Sequence, residues 1–159
     1  MYRLPSLLQL VLWQSLFGLA CCTSESKESK DDDSSTVNNV IYQLIAADNQ
    51  SDVDAILSFY TSDIEFHPKG REISKGIQNI RTNYEAMFKS YRLELVTEIM
   101  DTHVDGNIAV VKGINKGSRI SLSDGSVTPI HDGYEANLTL DKKGVWKINK
   151  LYWSPIDSD

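Results

Sequence analysis

Around Tyr91 the hydrophobic period of the chain changes from that of a helix to that of a strand, and this change limits the folds open to it. On the N-terminal side, Ser74 to Tyr91 carries Ile77, Ile80, Tyr84, Met87, Phe88 and Tyr91 three or four residues apart. That spacing predicts a helix with one apolar face, for which Ser74 is the candidate cap. From Leu93 onward, Leu93, Leu95, Thr97 and Ile99 alternate with Arg92, Glu94, Val96 and Glu98, the pattern of a half-buried strand. Asp105-Gly106 and Asp124-Gly125 are hairpin signals leading into Ile108–Lys112 and Ile130–Leu140, and Asp141–Gly144 leads into Val145–Trp153. Four extended segments joined by successive turns predict an antiparallel meander.

Upstream, Val40, Ile41, Leu44 and Ile45 mark one helical stripe, and Val53, Ile56, Leu57 and Tyr60 mark a shorter helix with Asp52 as its cap. Thr61-Ser62-Asp63 forms a turn, after which Ile64 and Phe66 alternate with Glu65 and His67 in a short strand. Helices followed by a long meander predict an α+β fold, a strongly curved antiparallel sheet wrapped around N-terminal helices. Such a sheet makes a cone with a pocket at its open end. Residues 37–155 account for this domain.

The first 36 residues have a different character. Residues 1–20 hold a single charge, Arg3, before an apolar stretch interrupted by Gln9, Gln14 and Ser15, as in a secretory signal peptide. The two cysteines, Cys21 and Cys22, stand together at the expected cleavage point, so no disulfide framework exists within the domain. Gly18-Leu19-Ala20-Cys21 resembles a bacterial lipobox, which implies acylation at Cys21, or at Cys22 in the neighbouring frame; ordinary cleavage after Ala20 is the alternative. Residues 23–36 contain no apolar side chain, and 21–36 is expected to be a disordered polar tether. These features imply an exported protein, held at a membrane only through its lipid anchor or else secreted. Without residues 1–20 the chain has 15 Lys and Arg against 22 Asp and Glu, which argues against a nucleic-acid partner.

Three local patterns resemble the nuclear transport factor 2-like superfamily, specifically its SnoaL-like and ketosteroid-isomerase-like branch. They are Asp54–Asp63 with Phe66-His67-Pro68, Gly76–Arg81 at a helix start, and Asp132-Gly133-Tyr134 followed by Gly144–Ile148 and Trp153. The resemblance covers Val37 to Trp153 and implies the cone-like, cystatin-like fold. It also implies an acidic base just before the proline that ends the first strand. Here His67 stands at that place, so the isomerase's base is not carried over.

His67 is a candidate proton acceptor because imidazole titrates near physiological pH. Strand parity sets it on the face opposite Ile64 and Phe66, which favours a place at the rim. Asp132 shares parity with Tyr134, Ala136, Leu138 and Leu140 and is predicted to point toward the helix-covered face. Tyr42, Tyr60, Tyr84, Phe88, Tyr134 and Trp153 are the candidate lining of a pocket for a flat apolar ligand. His67, His103 and His131 lack metal-ligand spacing, and no cofactor motif is present. Three functions follow from this pattern: binding of a small apolar or aromatic molecule, or of a partner, in the cone-shaped pocket without catalysis; an isomerase, cyclase or dehydratase using His67 and Asp132; or homodimerisation or assembly through the open sheet face.

Overall fold

The computed structural model describes residues 25–156, so the expected signal peptide and the acylated cysteine lie outside the described residues. Helix α1 spans Glu25–Gln50 and helix α2 Val53–Ser58. Strand β1 (Tyr60–Pro68) and the two-residue strand β2 (Ser74–Lys75) precede helix α3, Ile77–Ser90. Strands β3 (Tyr91–Asp105), β4 (Ile108–Ser121), β5 (Val127–Leu140) and β6 (Trp146–Pro155) form the meander. The six strands make one curved, open sheet in the order β2-β1-β6-β5-β4-β3, with the helices on its concave side. The fold is thus the α+β cone that the alternation predicts.

Residues 25–36 correct the expectation of a tether, because α1 already runs through them. Charged, polar residues cannot hold a core position, but they can extend a helix whose later turns are anchored. Val37 is fully buried and Ile41 and Leu44 nearly so, which fixes those turns; each further residue toward the N-terminus then adds to an existing helix without a new nucleus.

A second correction concerns α3. Ser74 and Lys75, expected to cap and begin the helix, instead pair with Phe66 and Glu65 of β1, and Gly76 takes the cap position. Gly76 has φ 81°, and its amide donates to the Ile64 carbonyl at 2.8 Å. A side chain at that φ is strained, so glycine suits the abrupt change from strand to helix. Asp52 caps α2 as expected, its carboxylate accepting from the Ala55 amide at 3.0 Å.

The sheet is not wholly antiparallel, since β1 runs parallel to β6, pairing Phe66 with Leu151 and Pro68 with Trp153. One irregularity in β3, between Ile99 and Asp101, turns Met100 outward and keeps Thr102 and Val104 opposite Val111 and Ala109. Such a bulge bends a strand and increases its twist, which helps close the cone. Val111, Ala136, Leu138 and Ile148 are buried beneath Val37, Ile41 and Leu44 of α1, forming the closed end of the core. Each large side chain removed from water there contributes roughly 1.5–3 kcal/mol.

Strand β3 is an edge, and α1 lies along it. The Asn49 side chain accepts from the Leu95 amide at 2.7 Å and donates to the Leu95 carbonyl at 2.8 Å, so it replaces a missing neighbour strand. About 16 Å back along the helix, Thr102 donates to the Asn38 side chain at 2.6 Å. Asn49→Ala removes both contacts to a half-buried backbone, and we expect it to lower unfolding free energy by about 1–3 kcal/mol in denaturant titration. A change below about 0.5 kcal/mol would mean that water satisfies the edge equally well.

Candidate functional site

The open end of the cone holds a cavity of about 680 Å³ between the concave sheet, α1 and α3. Apolar side chains dominate its wall, among them Ile64, Phe66, Ile80, Leu93 and Leu151. A few polar groups converge on it, and the register of the strands explains which ones. On β4 the inward residues run Ala109, Val111, Gly113, Asn115 and Arg119, facing Leu138, Ala136, Tyr134, Asp132 and Thr128 of β5. The apolar half of each series closes the core, and Asn115, Arg119, Asp132 and Tyr134 of the polar half line the cavity.

Tyr134 crosses β4 directly over Gly113, and its hydroxyl meets the Thr97 hydroxyl on β3 at 3.0 Å. A methyl group on Gly113 would come within 2.3 Å of that hydroxyl and 2.6 Å of the Glu98 carbonyl. Glycine here makes room for the ring.

At the helical wall stands Asp48, which sequence reasoning missed. It is 7% exposed, lines the cavity, and its Oδ1 has no hydrogen-bond partner among the described residues. Burial pushes its carboxyl up to about 7 from the ordinary 3.8. Tyr60 and Tyr84 line the same region and join hydroxyls at 3.1 Å. Burial, and then the charge of Asp48, raise both phenols above their usual range, so they remain neutral donors. The signal for Asp48 was present: Ile41, Leu44, Ile45 and Asp48 continue one helical stripe, and a carboxylate on an apolar stripe demands an explanation.

Asp132 points into the cavity as its parity predicts, opposite Asn115. Burial raises its carboxyl, while the Trp153 indole and the charges of His131 and Arg119 draw it back. Asn115 Oδ1 and Arg119 Nε are also buried without partners. Tyr60, Tyr84, Tyr134 and Trp153 line the cavity.

Three of the candidate residues lie elsewhere. His67 projects from the convex face, because Phe66 and Pro68 on either side point inward. Its Nε2 lies 3.0 Å from Glu65 Oε2, and its ring stacks on Tyr152 at 4.6 Å. Glu65 also binds Lys75 at 2.7 Å; chiefly that contact, and then His67, lower its carboxyl to about 2. His67 therefore belongs to a surface charge cluster beside a shallow outer groove, and it does not converge with Asp132. Tyr42 sits one position off the α1 stripe and is half exposed, outside the cavity. Phe88 backs Tyr84, with ring centroids 5.7 Å apart, without reaching the lining. Among the described residues no three His, Cys, Asp or Glu side chains gather to hold a metal.

A SnoaL-like domain model matches residues 41–136, more than half of the chain. The chain belongs to the SnoaL-like family. Solved structures agree on the fold of this SnoaL-like domain. A ketosteroid isomerase-like protein from Erwinia carotovora atroseptica aligns with TM-score 0.74 at 20% identity, covering 80% of this chain and 99% of the other. A candidate scytalone dehydratase from Novosphingobium aromaticivorans aligns at 0.75 with 10% identity, covering 82% and 88%. A cystatin-like domain of unknown function from Nostoc punctiforme aligns at 0.65 with 17% identity, covering 80% and 79%. No curated protein matches the sequence.

Asp48 gives the SnoaL-like domain a distinctive pH dependence. Its folded-state pKa is raised above the unfolded value, so the folded form binds more protons than the unfolded one between about pH 4 and 7. Stability from this group is full below about pH 4 and is lost as pH rises toward about 7, a change on the order of 4 kcal/mol. Asp48→Asn should abolish this decline relative to the parent when unfolding free energy is measured across that range; parallel curves for the two proteins would contradict the burial.

Proposed function

We propose that this SnoaL-like domain binds one small, flat, largely apolar molecule in the cone, oriented by a hydroxyl or carbonyl directed at Asp48. The observation carrying this reading is the buried Asp48 carboxyl, which faces a cavity large enough for a two- or three-ring compound and whose Oδ1 has no partner among the described residues. Below about pH 7 the neutral acid donates a hydrogen bond; above it the carboxylate accepts one. Tyr60 and Tyr84 supply neutral hydroxyls beside it. Native mass spectrometry of chain purified without denaturation should show a one-to-one complex with a small molecule. The neutral probe 2-naphthylmethanol should bind saturably at one per chain, with Asp48→Leu weakening it about 5–10-fold through loss of one hydrogen bond. Absence of any saturable complex would overturn the reading.

One observation favours a second reading, cofactor-independent acid–base catalysis of the isomerase or dehydratase kind. A general acid–base is most effective with a pKa near the working pH, and Asp48 meets that requirement where His67, on the far face, does not. The ketosteroid isomerase-like and dehydratase relatives in fold support the choice of reaction class. In this reading the Asp48 carboxylate takes a proton from the carbon beside a carbonyl that Asp132 and Tyr134 polarise, and the acid so formed returns that proton, to another carbon in an isomerisation or to the departing hydroxyl, which leaves as water, in a dehydration. The rate should then depend on an ionisation near pH 7 and fall about 10²–10⁴-fold in Asp48→Asn, with His67→Ala unchanged.

Export and anchoring at Cys21, or at Cys22, complete this proposal, with α1 standing between the lipid and the cone. Homodimerisation through the convex sheet face remains a separate reading, supported by exposed Val96 and Met100 on its outer strand.

A further inference from the structure

Arg119 occupies the cavity in an unusual condition. Its guanidinium lies over the Tyr91 ring, 4.7 Å from the centroid, and its Nε is buried without a hydrogen-bond partner. Asp132 attracts it at a distance, but among the described residues Arg119 makes no ion pair. The ion pairs on neighbouring convex positions, Lys112–Glu135 and Lys116–Glu98, lie on the opposite face of the sheet and leave it untouched. A half-buried guanidinium with an unmatched donor is costly unless something completes it. Stacking on Tyr91 holds the fork flat and in place, the arrangement that suits a planar, bidentate anion.

The cavity's other charged groups are Asp48, Asp132, Arg71 and Glu72. Arg71 and Glu72 are exposed at the mouth, where water screens them. Burial disfavours the charged forms of the two acids inside, whereas a guanidinium stays charged at any working pH. The interior therefore presents the stacked Arg119 guanidinium with its unmatched donor and, on the helical wall, the Asp48 carboxyl, a hydrogen-bond donor below about pH 7. Neither matches a wholly apolar ligand, and one lone cation near Asp132 suits a single negative charge better than a phosphate dianion.

The geometry points to a monocarboxylate ligand with a flat apolar body, its carboxylate paired with the Arg119 fork and its far polar end directed at Asp48. This rests on the reading of the cavity as a ligand site. It defines which ligand the site prefers: aromatic or polycyclic acids over the corresponding alcohols, aldehydes and esters. Leu93 and Ile130 line the path beside Arg119 and would cover the ring system next to the carboxylate.

Matched calorimetric titrations of the full chain at about pH 6, where Asp48 is mostly neutral and the probe acid is ionised, with 2-naphthoate and 2-naphthylmethanol test this directly. The parent protein should bind the acid about 10-fold or more tightly than the alcohol, as a charge-assisted pair requires. Arg119→Gln should weaken the acid about 10–100-fold and leave the alcohol within about 2-fold. Arg119→Lys, which keeps the charge and loses the fork, should retain a reduced preference for the acid. If the parent binds the alcohol and the acid equally, or Arg119→Gln weakens both alike, the carboxylate inference is overturned while the cavity reading stands. Binding of neither probe overturns both.

Discussion

The apolar stripe along α1 organises the molecule. Val37, Ile41 and Leu44 lie against Val111, Ala136, Leu138 and Ile148 at the closed end of the cone, and this contact fixes the position of the helix over the sheet. Everything at the open end depends on it. The same helix carries Asn38 and Asn49 to the β3 edge, where they hold strand and helix together through side-chain hydrogen bonds. One turn past Leu44 the stripe arrives at Asp48, so the contact that builds the core also drives a carboxyl into the cavity wall. The buried acid is a consequence of the stripe and cannot rotate to solvent without unpacking the helix.

That placement defines the chemistry available. A polar group removed from water without a partner stays costly until a ligand supplies one, and Asp48, Asn115 and Arg119 all present such atoms to one space. On the convex face the charged groups are already paired, Glu65 with Lys75 and His67, and Lys112 with Glu135. The two faces of one sheet thus divide between satisfied surface clusters and an interior with unmatched donors and acceptors.

Much of this was legible from period and parity. The helical stripes, the four-strand meander, the inward direction of Asp132 and the outward direction of His67 follow from spacing alone, since strand geometry leaves little choice once one face is buried. What the spacing left out was non-local. The parallel pairing of β1 with β6 joins residues 85 to 88 positions apart, and β2 is two residues long, too short to show a period. Residues 25–36 carry no apolar side chain, so nothing local marks their helix; the anchored turns downstream support it. Asp48 escaped because the stripe was followed only through apolar residues and ended at Ile45, one member early. Tyr42 and Phe88 lie outside the cavity because helical phase, not aromaticity, decides which residues face it.

The protonation of Asp48 is the most direct test of this account. Carbon-13 NMR of the intact chain labelled at aspartate side-chain carboxyls follows each group through its own titration. The account predicts one carboxyl with a midpoint near pH 7 that disappears in Asp48→Asn, well separated from the exposed aspartates. A midpoint for Asp48 near the ordinary 3.8 would mean that water reaches it freely, and would contradict the buried, unpartnered acid on which the cavity's chemistry rests.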